Sequence, residues 1–171
     1  FSAEYYVVPG LRSTGNDGSS WEKAITMYDV FENDASAAKN DEVSKYKTGD
    51  VFFLAGGTYY NATSPGADAG RIYRGYVFVG GCDQSKGAVT EWPAYPSATP
   101  TIFSGDLDEN GGPSAGDLRN LIHVRQARND DAENLAHICR LIGIDFTCSY
   151  SPEGSTNASG AVYCTQGAIE L

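Results

Sequence analysis

Short apolar runs that end in glycine and recur at a fixed interval predict an all-β solenoid, a right-handed parallel β-helix opened by an N-terminal capping α-helix. Three observations carry this expectation. Val51-Phe52-Phe53-Leu54 runs into Gly56-Gly57, Tyr76-Val77-Phe78-Val79 into Gly80-Gly81, and Thr101-Ile102-Phe103 into Gly105, and the three runs begin 25 residues apart. The runs are continuously apolar rather than alternating, as strands covered on both faces are. Gly, Tyr, Ser, Thr and Asn are plentiful while Met occurs once, which suits a turn-rich β protein. Glycine at a strand end allows a tight corner into the next face. A single coil cannot bury its apolar side alone, so successive coils must stack.

The elements follow in order. Tyr5–Val8 reads as a strand ended by Pro9-Gly10, and 13–18 is a polar turn cluster. Ser19 stands three residues before Glu22, the spacing of a capping box, and Trp21, Ala24, Ile25, Tyr28 and Phe31 follow at helical intervals. This predicts one amphipathic helix over Ser19–Phe31, with a resumption over 35–39 left open. Such a helix would close the open end of a solenoid, which otherwise exposes strand edges and core; a globular helix packed on a sheet is the alternative. The charged stretch from Asn40 to Lys47 reads as a solvated face or loop ended by Gly49-Asp50. Residues 1–50 are therefore the strand and cap, and 51–171 the first coils. Leu141-Ile142 runs into Gly143, followed by Ile144 and Phe146, and further short strands fit 121–124, 161–164 and 168–171. The spacers 61–74, 82–99 and 149–160 read as protruding insertions, where binding surfaces tend to lie. Tyr59, Tyr60, Tyr73, Trp92, Tyr95 and Tyr150 sit in or beside them, as sugar-stacking or packing residues.

The length fits one domain or part of a larger one, enough for a sizeable core. A net charge of −10 and a pI near 4.5 exclude a nucleic-acid partner, since no Lys/Arg cluster is present to neutralise phosphates. The acidic balance suits a solvated extracellular or cell-surface protein, or one that attracts cations. No apolar run approaches the ~20 residues of a membrane span. A start at Phe1 without Met implies a removed leader or tag, and the strand-like pattern of Ala168–Leu171 implies that the chain continues.

Cys82, Cys139, Cys148 and Cys164 permit two disulfides, or four buried thiols. On separation alone Cys148–Cys164 is the favoured pair, and no C-x-x-C spacing points to zinc or thiol redox chemistry. Asn61-Ala62-Thr63 and Asn157-Ala158-Ser159 are glycosylation sequons, which matter only where the source modifies secreted proteins.

The most specific chemical pattern is the acidic loop after the third run. Asp106-x-Asp108-x-Asn110-Gly111, with Asp117 at the twelfth position, resembles a calcium loop. A hard cation needs about six or more oxygens, and glycine lets the loop fold round it. The flanks are strands rather than helices, and Pro113 replaces an apolar residue, so a solvated acidic turn is the competing reading. His123 and His137 lie in apolar strand-like runs without metal-motif partners and read as structural. Asp130-Asp131 is the nearest paired carboxylate for glycoside hydrolysis, and Arg119, Arg125 and Arg128 are the nearby bases for lyase chemistry, but a solvated charged run accounts for them as well.

A family resemblance rests on Tyr6-Val7-Val8-Pro9-Gly10, Asn16-Asp17-Gly18-Ser19-Ser20-Trp21, Gly49-Asp50-Val51 and Ala55-Gly56-Gly57-Thr58-Tyr59. It continues through Val79-Gly80-Gly81, Thr101-Ile102-Phe103-Ser104-Gly105-Asp106, Gly143-Ile144-Asp145-Phe146 and Gly160-Ala161-Val162-Tyr163. In this order they resemble the N-terminal part of bacterial secreted right-handed parallel β-helix proteins with polymorphic-outer-membrane-protein-type repeats. The four cysteines and the lack of a lipid-anchor cysteine near Phe1 depart from that pattern. The resemblance implies a secreted or cell-surface module with a structural, adhesive, glycan-binding or protein-binding role, self-associating end to end through open coil edges. The alternative it allows is the N-terminal portion of a β-helix carbohydrate-active enzyme.

Overall fold

The computed structural model describes residues 2–36, 44–62, 70–125, 138–150, 160–165 and 168–171. The all-β expectation holds in its general form. Among these residues lie eleven strands, one α-helix and two short 3-10 helices, and every strand pairing is parallel. The strands are β1 (Glu4–Val7), β2 (Val51–Ala55), β3 (Gly57–Tyr59), β4 (Arg71–Ile72), β5 (Val77–Cys82) and β6 (Thr101–Ser104), then β7 (Ile122–Arg125), β8 (Ile138–Ile142), β9 (Ile144–Thr147), β10 (Val162–Thr165) and β11 (Ala168–Glu170).

They form three sheets: β1-β2-β5-β8-β11, β3-β6-β9, and β4-β7-β10. From β2 onward the chain visits the first, second and third sheets in constant rotation. The corners between the first two sheets fall where glycine was expected to permit them. Gly143 separates β8 from β9 with φ of 64°, a left-handed conformation costly for any residue with a Cβ. Gly80 stacks against it so closely that a Cβ there would lie 2.4 Å from the Gly143 carbonyl oxygen.

The 25-residue recurrence is only in part the structural repeat. Val51 does pair with Val77 in parallel, but the run at 101 belongs to a different sheet, where Thr101 pairs with Gly57. The coil partner of Val77 is instead Arg140, 63 residues further on. The apparent third period arises because the 83–100 insertion happens to be one spacing long.

The core explains why β2 and β5 are continuously apolar. One face of the first sheet points inward and carries a ladder of Tyr5, Phe52 and Phe78 at successive register positions, with ring centroids 5.3 and 5.2 Å apart. A parallel ladder of Tyr59, Phe103 and Phe146 runs up the second sheet. The outer face of the first sheet is covered too: Tyr6, Phe53, Val77 and Val79 pack with Ala24, Trp21 and Val89 from the segments flanking it.

The cap differs from its prediction. Only a 3-10 turn, Trp21–Lys23, forms near the expected start, and Ser19 bonds Asp17 rather than capping a helix. Residues 24–26 are extended and Ile25 bridges Val7 along the free edge of β1, exchanging backbone hydrogen bonds with Tyr6 and Val8. The helix α1 runs Met27–Ser36. Its capping box is Thr26 with Asp29, whose carboxylate accepts the Thr26 N–H at 2.9 Å. The helix lies against β4, with Phe31 filling the space where a Gly70 side chain would be. Asp34 projects from it into the interior, accepting from the Tyr73 N–H, Arg74 Nη1 and the Tyr76 hydroxyl at 2.7, 2.8 and 2.5 Å. Tyr46, placed by sequence in a solvated stretch, is buried against Tyr5 and Phe52.

Candidate functional site

The acidic loop joins β6 to β7 and is built into the molecule. The Gly105 N–H donates to Thr147 O at the end of β9, Leu118 is fully buried with its N–H returning to Gly105 O, and the Tyr150 N–H donates to Leu118 O. Within this closure one carboxylate oxygen each of Asp106, Asp108 and Asp117 come within 4.8 Å of one another. Asp106 accepts the N–H groups of Asn110 and Gly111 at 3.0 and 2.9 Å. Asp108 accepts the Ser114 hydroxyl at 2.7 Å and the Asn110 side-chain amide at 3.0 Å. The Ser114 hydroxyl, with help from Asn110, holds the Asp108 carboxyl below its ordinary pKa. Gly116 permits this fold-over, since a Cβ there would lie 2.4 Å from Asp108 Oδ2.

Asp117 is wholly buried. Its Oδ2 accepts the Ser114 N–H at 2.7 Å, and its Oδ1 has no hydrogen-bond partner. Asn110, expected among the ligands, is not gathered with the three aspartates; its Oδ1 accepts the Gly112 N–H at 2.8 Å, and its amide orients Asp108. Cys148 faces the cluster from the turn after β9. Burial and then Asp106, Asp117 and Asp108 push its thiol pKa up.

A second site lies on the 83–100 insertion. Trp92 and Tyr95 are 53% and 67% exposed, the most open aromatics among the described residues. They stand at a cleft of about 450 Å³ lined by Gly81, Lys86, Glu91, Pro93 and Thr99, among others. The loop that carries them is braced at both ends. Trp21 Nε1 donates to Gly87 O at 2.8 Å, and Ser97 Oγ and Thr99 Oγ1 both donate to Gly81 O. The Tyr95 hydroxyl donates to Asp145 on β9 at 2.8 Å. Of the other aromatics noted in the sequence, Tyr59 is core, and Tyr60, Tyr73 and Tyr150 are half-buried.

The remaining candidates separate. All four cysteines are unbonded: Cys82 and Cys139 are buried and burial raises both thiols to about 12. No disulfide joins Cys148 to Cys164; the first follows a strand of the second sheet, and the second lies exposed on β10 in the third. Asn61, of the first sequon, spends its amide nitrogen on Leu121 O at 2.6 Å, the atom a glycan would need. His123 is buried on β7 and stacks on Tyr163 at 4.6 Å, as a structural histidine would. His137, Asn157, Arg128 and Asp130-Asp131 lie outside the described residues. Among the described residues no helix is long and apolar enough to cross a membrane. No family model matches the chain, and no curated protein or solved structure matches it either.

Proposed function

We propose that this chain forms the opening coils of a right-handed parallel β-helix in a secreted or cell-surface protein, and that it binds glycan through the 83–100 loop. The constant rotation of the chain through three parallel sheets supports the β-helix reading, and the right-handed sense follows the general preference of parallel crossovers. α1 and the 24–26 segment then serve as its cap. In this reading β9, β10 and β11, the outermost strands on one side of their sheets, offer the edges for further coils or for end-to-end self-association.

The single observation behind the binding role is the pair Trp92 and Tyr95, held open on a braced loop beside a cleft. Large aromatics left exposed forgo burial worth ~1.5–3 kcal/mol each, which a fold tolerates readily where a partner covers them. The C–H faces of a pyranose ring stack on such rings, and a braced loop loses little entropy on binding. With a net charge of −10, neutral glycans are favoured over polyuronates.

Titration with neutral oligosaccharides, read by tryptophan fluorescence and calorimetry, tests this. Trp92→Ala should weaken the best ligand at least about tenfold and Trp92→Phe much less. If no oligosaccharide on a broad array binds, or if binding survives Trp92→Ala unchanged, the role fails.

A further inference from the structure

We propose that Asp106, Asp108 and Asp117 form a calcium site that locks the 105–121 loop onto the turn following β9. This is independent of the glycan-binding reading. An acidic cluster alone would signify little, but Asp117 supplies a separate observation. A wholly buried carboxylate with one oxygen bonded to the Ser114 N–H and the other to nothing leaves a charge without compensation. Burying an acceptor without a partner is costly, and far more so when it is ionised. The ion pairs between described residues, Arg74–Asp34, Lys86–Asp83 and Arg140–Glu170, all lie elsewhere. A cation placed among the three aspartates would give that oxygen its partner.

Size and hardness select the ion. Two ligands of one calcium, at 2.3–2.6 Å each, stand at most about 4.6–5.2 Å apart; two ligands of magnesium, at 2.0–2.1 Å, at most about 4.2 Å. The three carboxylates, converging within 4.8 Å, meet the calcium limit without rearrangement. All three ligands are hard oxygens, and Asp106 and Asp108 are already oriented by Asn110, Gly111 and Ser114, so little ordering remains for the ion to impose. Calcium's six to eight positions leave room for water on the exposed Asp108 side. The neighbouring Cys148 is a soft donor and has no part in this set.

Chelator-treated protein titrated with calcium chloride, by calorimetry and by thermal melting, decides the matter. We expect saturable heat, a higher melting temperature with calcium, and a markedly smaller increase with equimolar magnesium. Asp108→Ala, at an exposed position that folding does not need, should lower affinity at least tenfold. Asp117→Asn, which keeps the buried shape but removes the charge, should abolish binding and raise the melting temperature of the metal-free protein. No heat at millimolar calcium and no response of melting to chelator would overturn the site. An equal rise with magnesium, persisting in Asp108→Ala, would mean only general screening of an acidic chain and would overturn it equally.

Discussion

Asp34 is the residue on which the join between helix and sheets turns. It is fully buried, and burial raises its pKa above the ordinary carboxylate value even though Tyr76, the Tyr73 N–H and Arg74 favour its charge. Removing it leaves the equally buried Arg74 short of its carboxylate, so Asp34→Ala should cost about 3–5 kcal/mol in urea unfolding. The pH dependence has a definite sign. A carboxyl with a raised folded pKa binds its proton more tightly in the native state, so its contribution is largest below about pH 3.9 and declines as pH rises through the raised value. The stability difference between the native protein and Asp34→Asn should therefore shrink from pH 4 upward; a difference that grows with pH would mean the carboxylate is net stabilised by its partners. None of this was visible in the sequence, where Asp34 stands among the charged residues of a helix end and its partners Tyr73, Arg74 and Tyr76 are some forty residues away.

Among the elements, the strands with continuous apolar runs were legible because both faces of the first sheet are covered. β3 and β4 were not, because each buries a single residue, Tyr59 or Ile72, and so carries no periodicity. The helix start was misread because two capping-box patterns compete within ten residues. Thr26-x-x-Asp29 prevails since Ala24 and Ile25 are drawn into extended pairing on β1, which ends any helix begun at Ser19. The three aspartates were read correctly as one cluster, while Asn110 was not, because a fixed spacing cannot tell a ligand from the residue that orients it. The glycine corners were legible and can be tested. Gly80→Ala would drive a Cβ into the Gly143 carbonyl, backbone against backbone, and should destabilise by about 1–3 kcal/mol, measured as a lower unfolding midpoint. Gly87→Ala meets no atom within 4 Å and should cost only the strain of its left-handed φ of 76°.

Across the whole molecule, equal steps in space are made by unequal lengths of chain. In the first sheet successive register partners lie 47, 26, 63 and 30 residues apart, from Glu4 to Val51, Val51 to Val77, Val77 to Arg140 and Arg140 to Glu170. The inward rings nonetheless hold their ladder, so the insertions are absorbed outside the stack. That inequality dictates a sequence of events when the chain folds. Closing a loop costs entropy that rises with the logarithm of its length, so joining β5 to β8 costs about 0.8 kcal/mol more than joining β2 to β5. The shorter closure also gains the Phe52–Phe78 contact immediately. Folding should nucleate at β2–β5 and spread outward, with β11 docking late. In stopped-flow experiments Phe78→Ala should slow refolding, whereas Ile169→Ala on β11 should leave refolding nearly unchanged and speed unfolding. The reverse pattern would place the nucleus elsewhere. The insertion that carries Trp92 and the acidic loop both follow β5, so each would be ordered only after the nucleus has formed.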